Sequence, residues 1–231
     1  MKKIYILHGW TYSFEKWHEF VSILKHNKIA GKLLKIPGLT GQLDSVWTVN
    51  DYSEWLKKEI GDQKVILFGH SNGGRLALYF ANQHPENIEK LILLDSAGIY
   101  HREFFLLLKR NIFNLIAKKG KKITTSPLMK KLLYRVVGEQ DYRLANGPLK
   151  ETMLNLISSD LTPILSAIKV PTLIIWGEKD QITPLADGKL MNKKIANSHL
   201  EIIKSARHSP HFTHPKKTAE VIINYLKNHD L

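Results

Sequence analysis

Short apolar runs alternate along the chain with longer stretches of mixed character. Residues 4–7, 65–68, 91–94, 172–176 and 200–203 are rich in Ile, Leu and Val and bounded by polar or turn residues, so they read as buried strands. Residues 32–36 read as a further strand, closed by the turn Pro37-Gly38-Leu39-Thr40-Gly41. Between these runs the period becomes helical. Residues 15–26 place Trp17, Phe20, Val21 and Leu24 on one face. Residues 51–60 form a second helix with Asp51 as its N-cap, and helical pieces follow at 75–81, 185–195 and 216–228. Strands alternating with helices predict βαβ units, a mostly parallel sheet of about six strands and right-handed crossovers.

From His101 to Lys169 the pattern changes. Phe104, Phe105, Leu107, Leu108, Ile112, Phe113, Leu115 and Ile116 make a strongly apolar helical stretch, with more helical pieces around 129–137 and 149–158 and no strand pattern. The expected organisation is a core from 1–100 and 170–231, interrupted by a helical cap at 101–169.

The turn Gly69-His70-Ser71-Asn72-Gly73-Gly74 joins one strand to the next helix. Gly-x-Ser-x-Gly at such a turn strains the serine backbone and exposes its hydroxyl. Gly69 and Gly73 stand where a Cβ would collide with opposing backbone. The Asn72 N–H falls at a helix N-terminus, where it can donate to a developing oxyanion. A neutral serine needs a base, histidine serves best near neutral pH, and a carboxylate orients the histidine. The chain order Ser71, Asp180, His208 fits those roles. Sites in parallel α/β sheets lie at the carboxyl ends of the strands. His8, Ser71, Asp95, Asp180 and His208 all fall there. Asp95 is the rival acid and His211 the rival base. His208, His211 and His214 share a spacing that suggests a metal, but Pro210 interrupts the helix that would present them, so no metal site is expected.

Composition narrows the rest. The 231 residues are 43% hydrophobic, as in an ordinary globular protein. No apolar run approaches the roughly 18 residues of a membrane span. Met1-Lys2-Lys3 leads into a short apolar run with no small-residue cleavage site, so a cytoplasmic protein is expected. With no cysteine there are no disulfides, no thiol catalysis and no Cys-bound zinc. The net charge is +13. Its lysines are scattered, densest at Lys118, Lys119, Lys121, Lys122, Lys130 and Lys131, and no nucleic-acid motif accompanies them. The basic surface reads as solvated, with steering of an anionic substrate or a membrane surface as a lesser role, and no nucleic-acid partner is expected.

Four segments together resemble the α/β-hydrolase superfamily over nearly the whole chain: Leu7-His8-Gly9-Trp10, the serine turn, Val170 through Asp180, and His208 followed by Pro215. Within it the chain is most similar to cap-bearing carboxylesterases, meta-cleavage-product hydrolases and proline iminopeptidases. The resemblance implies an α/β-hydrolase fold with a cap, and an oxyanion hole formed by the Trp10 and Asn72 N–H groups. It also implies that His8, Gly9 and His70 lie on the substrate side of the site, with both histidines hydrogen-bonded near it. Trp10, Tyr12, Phe14 and Trp17 read as core or as pocket wall. The family's two strands before the His-Gly strand are not expected here, since Ile4 already lies in that strand, and Arg207 precedes the base where glycine is common. The implied function is a cofactor-free serine carboxylesterase, cleaving small to medium acyl esters of small molecules through an acyl-enzyme. Its alternatives are a C–C hydrolase, with Arg75, Arg102 and Arg110 as candidates for a substrate carboxylate, an aminopeptidase, and a slow-turnover ligand receptor. The aminopeptidase is disfavoured by the few acidic residues of the insert, Glu103, Glu139, Asp141, Glu151 and Asp160.

Overall fold

The computed structural model describes residues 2–10, 14–101 and 147–228. Six strands form one sheet: β1 (Lys2–Leu7), β2 (Ile29–Leu33), β3 (Val65–His70), β4 (Ile88–Leu94), β5 (Thr172–Gly177) and β6 (Ser198–Ile203). Every neighbouring pair is parallel, in the order β2-β1-β3-β4-β5-β6. The helices are α1 (Phe14–His26), α2 (Val49–Ile60), α3 (Asn72–Gln83), α4 (Gly147–Ser158), α5 (Leu185–Lys194), the single turn α6 (Pro210–Thr213) and α7 (Pro215–Asn228). The expected parallel six-stranded sheet flanked by helices is present.

Side-chain alternation splits the core in two. Ile4, Ile6, Phe68, Ile92, Leu94 and Ile175 meet Trp17, Phe20 and Leu24 of α1 and Ile222 and Leu226 of α7. On the other face Tyr5, Leu7, Leu67, Leu93, Ile174 and Trp176 meet Tyr52 and Leu56 of α2 and Leu76 and Phe80 of α3. Covering on both faces is why these strands read as unbroken apolar runs. The registers align one edge of the sheet: Leu7 pairs with Gly69, Gly69 with Leu93, and Leu93 with Ile174. Residues just past those positions therefore emerge together at the carboxyl edge.

Two boundaries differ from the expectation. The second strand is Ile29–Leu33, paired Lys2 to Ile29 through Ile6 to Leu33, and not 32–36. Gly31 lies in it because a Cβ there would come within 3.1 Å of Ile6 Cδ1. Leu34 and Ile36 are buried, but on the chain leaving the sheet. Helix α2 starts one turn earlier than Asp51. Thr48 is the N-cap, its hydroxyl accepting from the Asp51 N–H while the Asp51 carboxylate accepts from the Thr48 N–H at 2.7 Å. Asp51 is thus the third residue of a capping box.

Of the expected cap, α4 is described. It sends Met153, Leu156 and Ile157 into the core, and its Thr152 hydroxyl accepts from the Trp47 N–H at 2.8 Å. The Phe104 to Ile116 stretch, the 129–137 piece, the lysine clusters at 118–122 and 130–131, Arg102, Arg110 and Tyr12 lie outside the described residues, as does the Phe14 side chain.

Candidate active site

Ser71 is placed by a sharp turn between β3 and α3. Its φ is 55° and ψ −121°, a region that costs a non-glycine residue of order 1–3 kcal/mol. The turn is fastened on several sides. The Ser71 N–H donates to the Leu94 carbonyl at 3.1 Å, and its own carbonyl accepts from the Gly74 and Ala97 N–H groups, both at 2.9 Å. A Cβ on Gly69 would stand 2.5 Å from the Gly73 carbonyl, and one on Gly73 would overlap the Leu7 carbonyl at the end of β1. The glycines thus let strand, turn and helix close up, as the motif predicts. Gly73 does so against a strand distant in sequence.

His208 follows β6, and its Nε2 lies 2.9 Å from Ser71 Oγ. Its Nδ1 donates to Asp180 Oδ2 at 2.8 Å. Asp180 follows β5, and its Oδ1 accepts from the Ile182 and Thr183 N–H groups at 2.8 and 3.2 Å. Burial pushes the Asp180 carboxyl up. The His208 ring, the Ile182 amide and the Thr183 hydroxyl outweigh burial and hold it below the usual carboxylate range. Its charge is therefore present at neutral pH. Ser71, His208 and Asp180 fit a Ser-His-Asp triad.

The rivals have different surroundings. Asp95 is fully buried at the end of β4, and its Oδ1 accepts from the Gly177 N–H at 2.7 Å. Burial, with Asp180 nearby, raises its pKa well above the ordinary value and favours its protonated form. His211 is also fully buried, its ring 4.3 Å from that of Trp17, and neither ring nitrogen has a partner among the described residues. Burial drives its pKa well down, so it is a neutral core aromatic. His214 is instead bonded to the Thr213 hydroxyl at 2.9 Å. A different group, His70, Asp95 and His208, gathers within 4.8 Å. Its members are occupied by Gly177, Ser71, Asp180 and the His208 carbonyl.

The Gly9 loop approaches the serine closely. A Cβ on Gly9 would lie 3.1 Å from Ser71 Cβ. Among the described residues, no main-chain bond takes up the N–H of Trp10 or of Asn72. His8 and His70 turn their rings into the protein. His8 is fully buried, and its Nδ1 donates to the Gly9 carbonyl at 2.7 Å. Burial lowers its pKa to about 4. The His70 Nε2 donates to the His208 carbonyl at 2.8 Å. Trp10 and Trp17 are core residues.

Arg207 leaves the base undisturbed. Its side chain is exposed, and its carbonyl lies over Gly177, where a Cβ would overlap it. Thr183 is a residue that motif reasoning passes over. Its hydroxyl donates to Asp180 Oδ2 at 2.7 Å, and the only trace in the sequence is a threonine three residues after an aspartate. Arg75, on α3, is 4% exposed and donates to Asn72 Oδ1 at 2.9 Å. Burial lowers its pKa to about 10, and no carboxylate among the described residues faces it.

Residues 3–166 match the family model described as alpha/beta hydrolase fold. The chain is 27% identical over 254 residues to monoacylglycerol lipase ABHD6 of Homo sapiens, covering 96% of this chain and 74% of that protein. It is 25% identical over 243 residues to a pimeloyl-[acyl-carrier protein] methyl ester esterase of Aeromonas hydrophila subsp. hydrophila, covering 96% and 94%. A meta-cleavage product hydrolase from Pseudomonas fluorescens IP01 superposes with a TM-score of 0.72 at 15% identity, over the whole of this chain and 92% of that one. That likeness concerns the fold. No helix among the described residues is long and apolar enough to cross a membrane.

Proposed function

Because the chain belongs to the alpha/beta hydrolase fold family, we propose that it is a serine hydrolase of carboxylic esters whose catalytic groups are Ser71, His208 and Asp180. The observation that carries this reading is the unbroken line of bonds from Asp180 Oδ2 through both nitrogens of His208 to Ser71 Oγ. The charged Asp180 accepts the Nδ1 proton, which leaves Nε2 bare and facing the serine. Ser71 Oγ attacks the ester carbonyl while Nε2 takes its proton. The oxyanion that forms is met by the N–H groups of Trp10 and Asn72, each such donor contributing about 3–4 kcal/mol. His208 then protonates the departing alkoxide. A water, deprotonated by the same ring, hydrolyses the acyl-enzyme and frees Ser71. No step calls for a cofactor. The likeness to a monoacylglycerol lipase and a methyl ester esterase supports an ester as the bond cleaved.

A second reading rests on Arg75. With no counter-ion among the described residues, the buried guanidinium loses several kcal/mol of hydration, and an anionic ligand would offset that loss. Arg75 is one helical turn from Ser71, so a substrate bearing a carboxylate, such as a C–C hydrolase acts on, suits this position.

The test is a series of initial rates on p-nitrophenyl esters, from acetyl to dodecanoyl, for wild type and Ser71→Ala. Many turnovers on short chains, falling by about a thousandfold or more in the variant, are expected. Equal rates in both proteins, or a single turnover, would overturn the esterase reading. A preference for mono-p-nitrophenyl glutarate over the butyrate ester, lost in Arg75→Met, would favour the second.

A further inference from the structure

We propose that His70 is a positioning residue for the base, tethering the main chain of His208 so that its ring meets Ser71. The inference rests on the triad reading above. Two consecutive residues at the end of β3 reach the same histidine from two sides. Ser71 Oγ meets the His208 ring at 2.9 Å, and His70 Nε2 meets the His208 carbonyl at 2.8 Å. A carbonyl only accepts, so Nε2 of His70 carries the proton.

The loop that carries His208 needs such a tether. It lies between β6 and α6, outside regular structure, and Ser205 within it has a φ of 63°. Its earlier part is held by the Lys179 N–H on the Ala206 carbonyl at 2.8 Å and by Glu178 on the Ser205 N–H at 2.9 Å. Among the described residues no main-chain donor reaches the His208 carbonyl. The His70 side chain fills that gap.

His70 is itself well fixed. It is 6% exposed, and its ring lies 4.3 Å from that of His211 and edge-on to Trp17 at 6.2 Å. Burial and the neighbouring His208 lower its pKa to about 3, so the ring stays a neutral donor over any assay range near neutrality. The strand that delivers the nucleophile thus also fixes the base. A shift of about 1 Å in a catalytic group can cost a hundredfold in rate.

The experiment compares His70→Phe, His70→Gln and His70→Asn in p-nitrophenyl acetate hydrolysis, with active sites titrated by a fluorophosphonate so that kcat refers to competent enzyme. Phe keeps ring volume and removes the donor. Gln can place its amide N–H where Nε2 was, and Asn reaches only to the Nδ1 position. The expected result is a fall in kcat of about 10- to 100-fold for His70→Phe and His70→Asn, with KM within about twofold, and recovery to within about threefold of wild type for His70→Gln. A kcat for folded His70→Phe within twofold of wild type would overturn the inference. So would equal values for His70→Gln and His70→Asn, a comparison that stands even where His70→Phe does not fold. Serine-dependent turnover of the wild type separates the two proposals. Its absence defeats the hydrolase reading and this inference together, whereas active wild type with indifferent His70 variants defeats this inference alone.

Discussion

Asp180 gives the His208 ring its tautomer, and that dependence can be measured. In Asp180→Asn the side-chain oxygen still serves the Ile182 and Thr183 amides, but an N–H now faces His208 Nδ1. The ring then carries its proton on Nε2 and cannot take one from Ser71. A fall in kcat of about a thousandfold or more at neutral pH is expected, with KM little changed, measured by steady-state ester hydrolysis. A fall of less than tenfold would mean that the buried Asp95 carboxyl supplies the charge instead. Ser71, Asp180 and His208 were legible because each sits in a motif whose residue types serve one reaction. The part of Thr183 was not, nor was the partner of His70, of which the resemblance implies only that it is hydrogen-bonded near the site. A threonine near an aspartate, or a histidine beside a nucleophile, has no distinctive spacing. Their partners are supplied by chain segments brought together only on folding. His211 is a rival base by its place in the sequence, and its surroundings set it apart. Its position is near the site, but the surrounding Trp17, Phe20 and Phe212 rings bury it.

The elements were read well where their neighbours in sequence determine them. The serine turn is such a case, since Gly69 is needed against the helix that follows directly. The same turn shows the limit. Gly73 makes room for the end of β1, a contact that the local motif does not reveal. Strand β2 was displaced for a related reason. The apolar residues Leu33, Leu34 and Ile36 carry the hydrophobic signal, yet the pairing with β1 begins at Ile29 and ends at Leu33, with Gly31 fitted against Ile6 of β1 and Val21 of α1. Helix α2 was misplaced by a turn because Asp51 looks like an N-cap alone, whereas Thr48 and Asp51 act as a reciprocal pair.

For the whole molecule, the alternation of strand and helix implied the parallel sheet. The lateral order β2-β1-β3-β4-β5-β6 was not implied, because succession along the chain does not fix which edge each strand joins. The buried titratable groups around the site also shape global stability. His8, His70 and His211 are neutral when folded, with pKa values lowered chiefly by burial. Unfolded, each takes up a proton below about pH 6.5, so their contribution is present above that value and is lost as pH falls. Asp95 acts in the opposite sense. Its raised folded pKa means that it contributes fully below about pH 3.9 and progressively less as pH rises. Around pH 5 the three imidazoles act against the one carboxyl and outnumber it. The unfolding free energy is therefore expected to fall on acidification from about pH 7 to 5. Urea melts at about pH 7, 6 and 5 check this, and a stability that holds level or rises toward pH 5 would contradict it.

The most direct test of the central claim is where a fluorophosphonate attaches. Intact-mass measurement and peptide mapping of the treated protein should show one adduct per chain, on the peptide containing Ser71, with none in Ser71→Ala and far slower labelling in His208→Ala. A protein left unlabelled, or labelled equally in the Ser71→Ala variant, would contradict the assignment of Ser71 as the nucleophile.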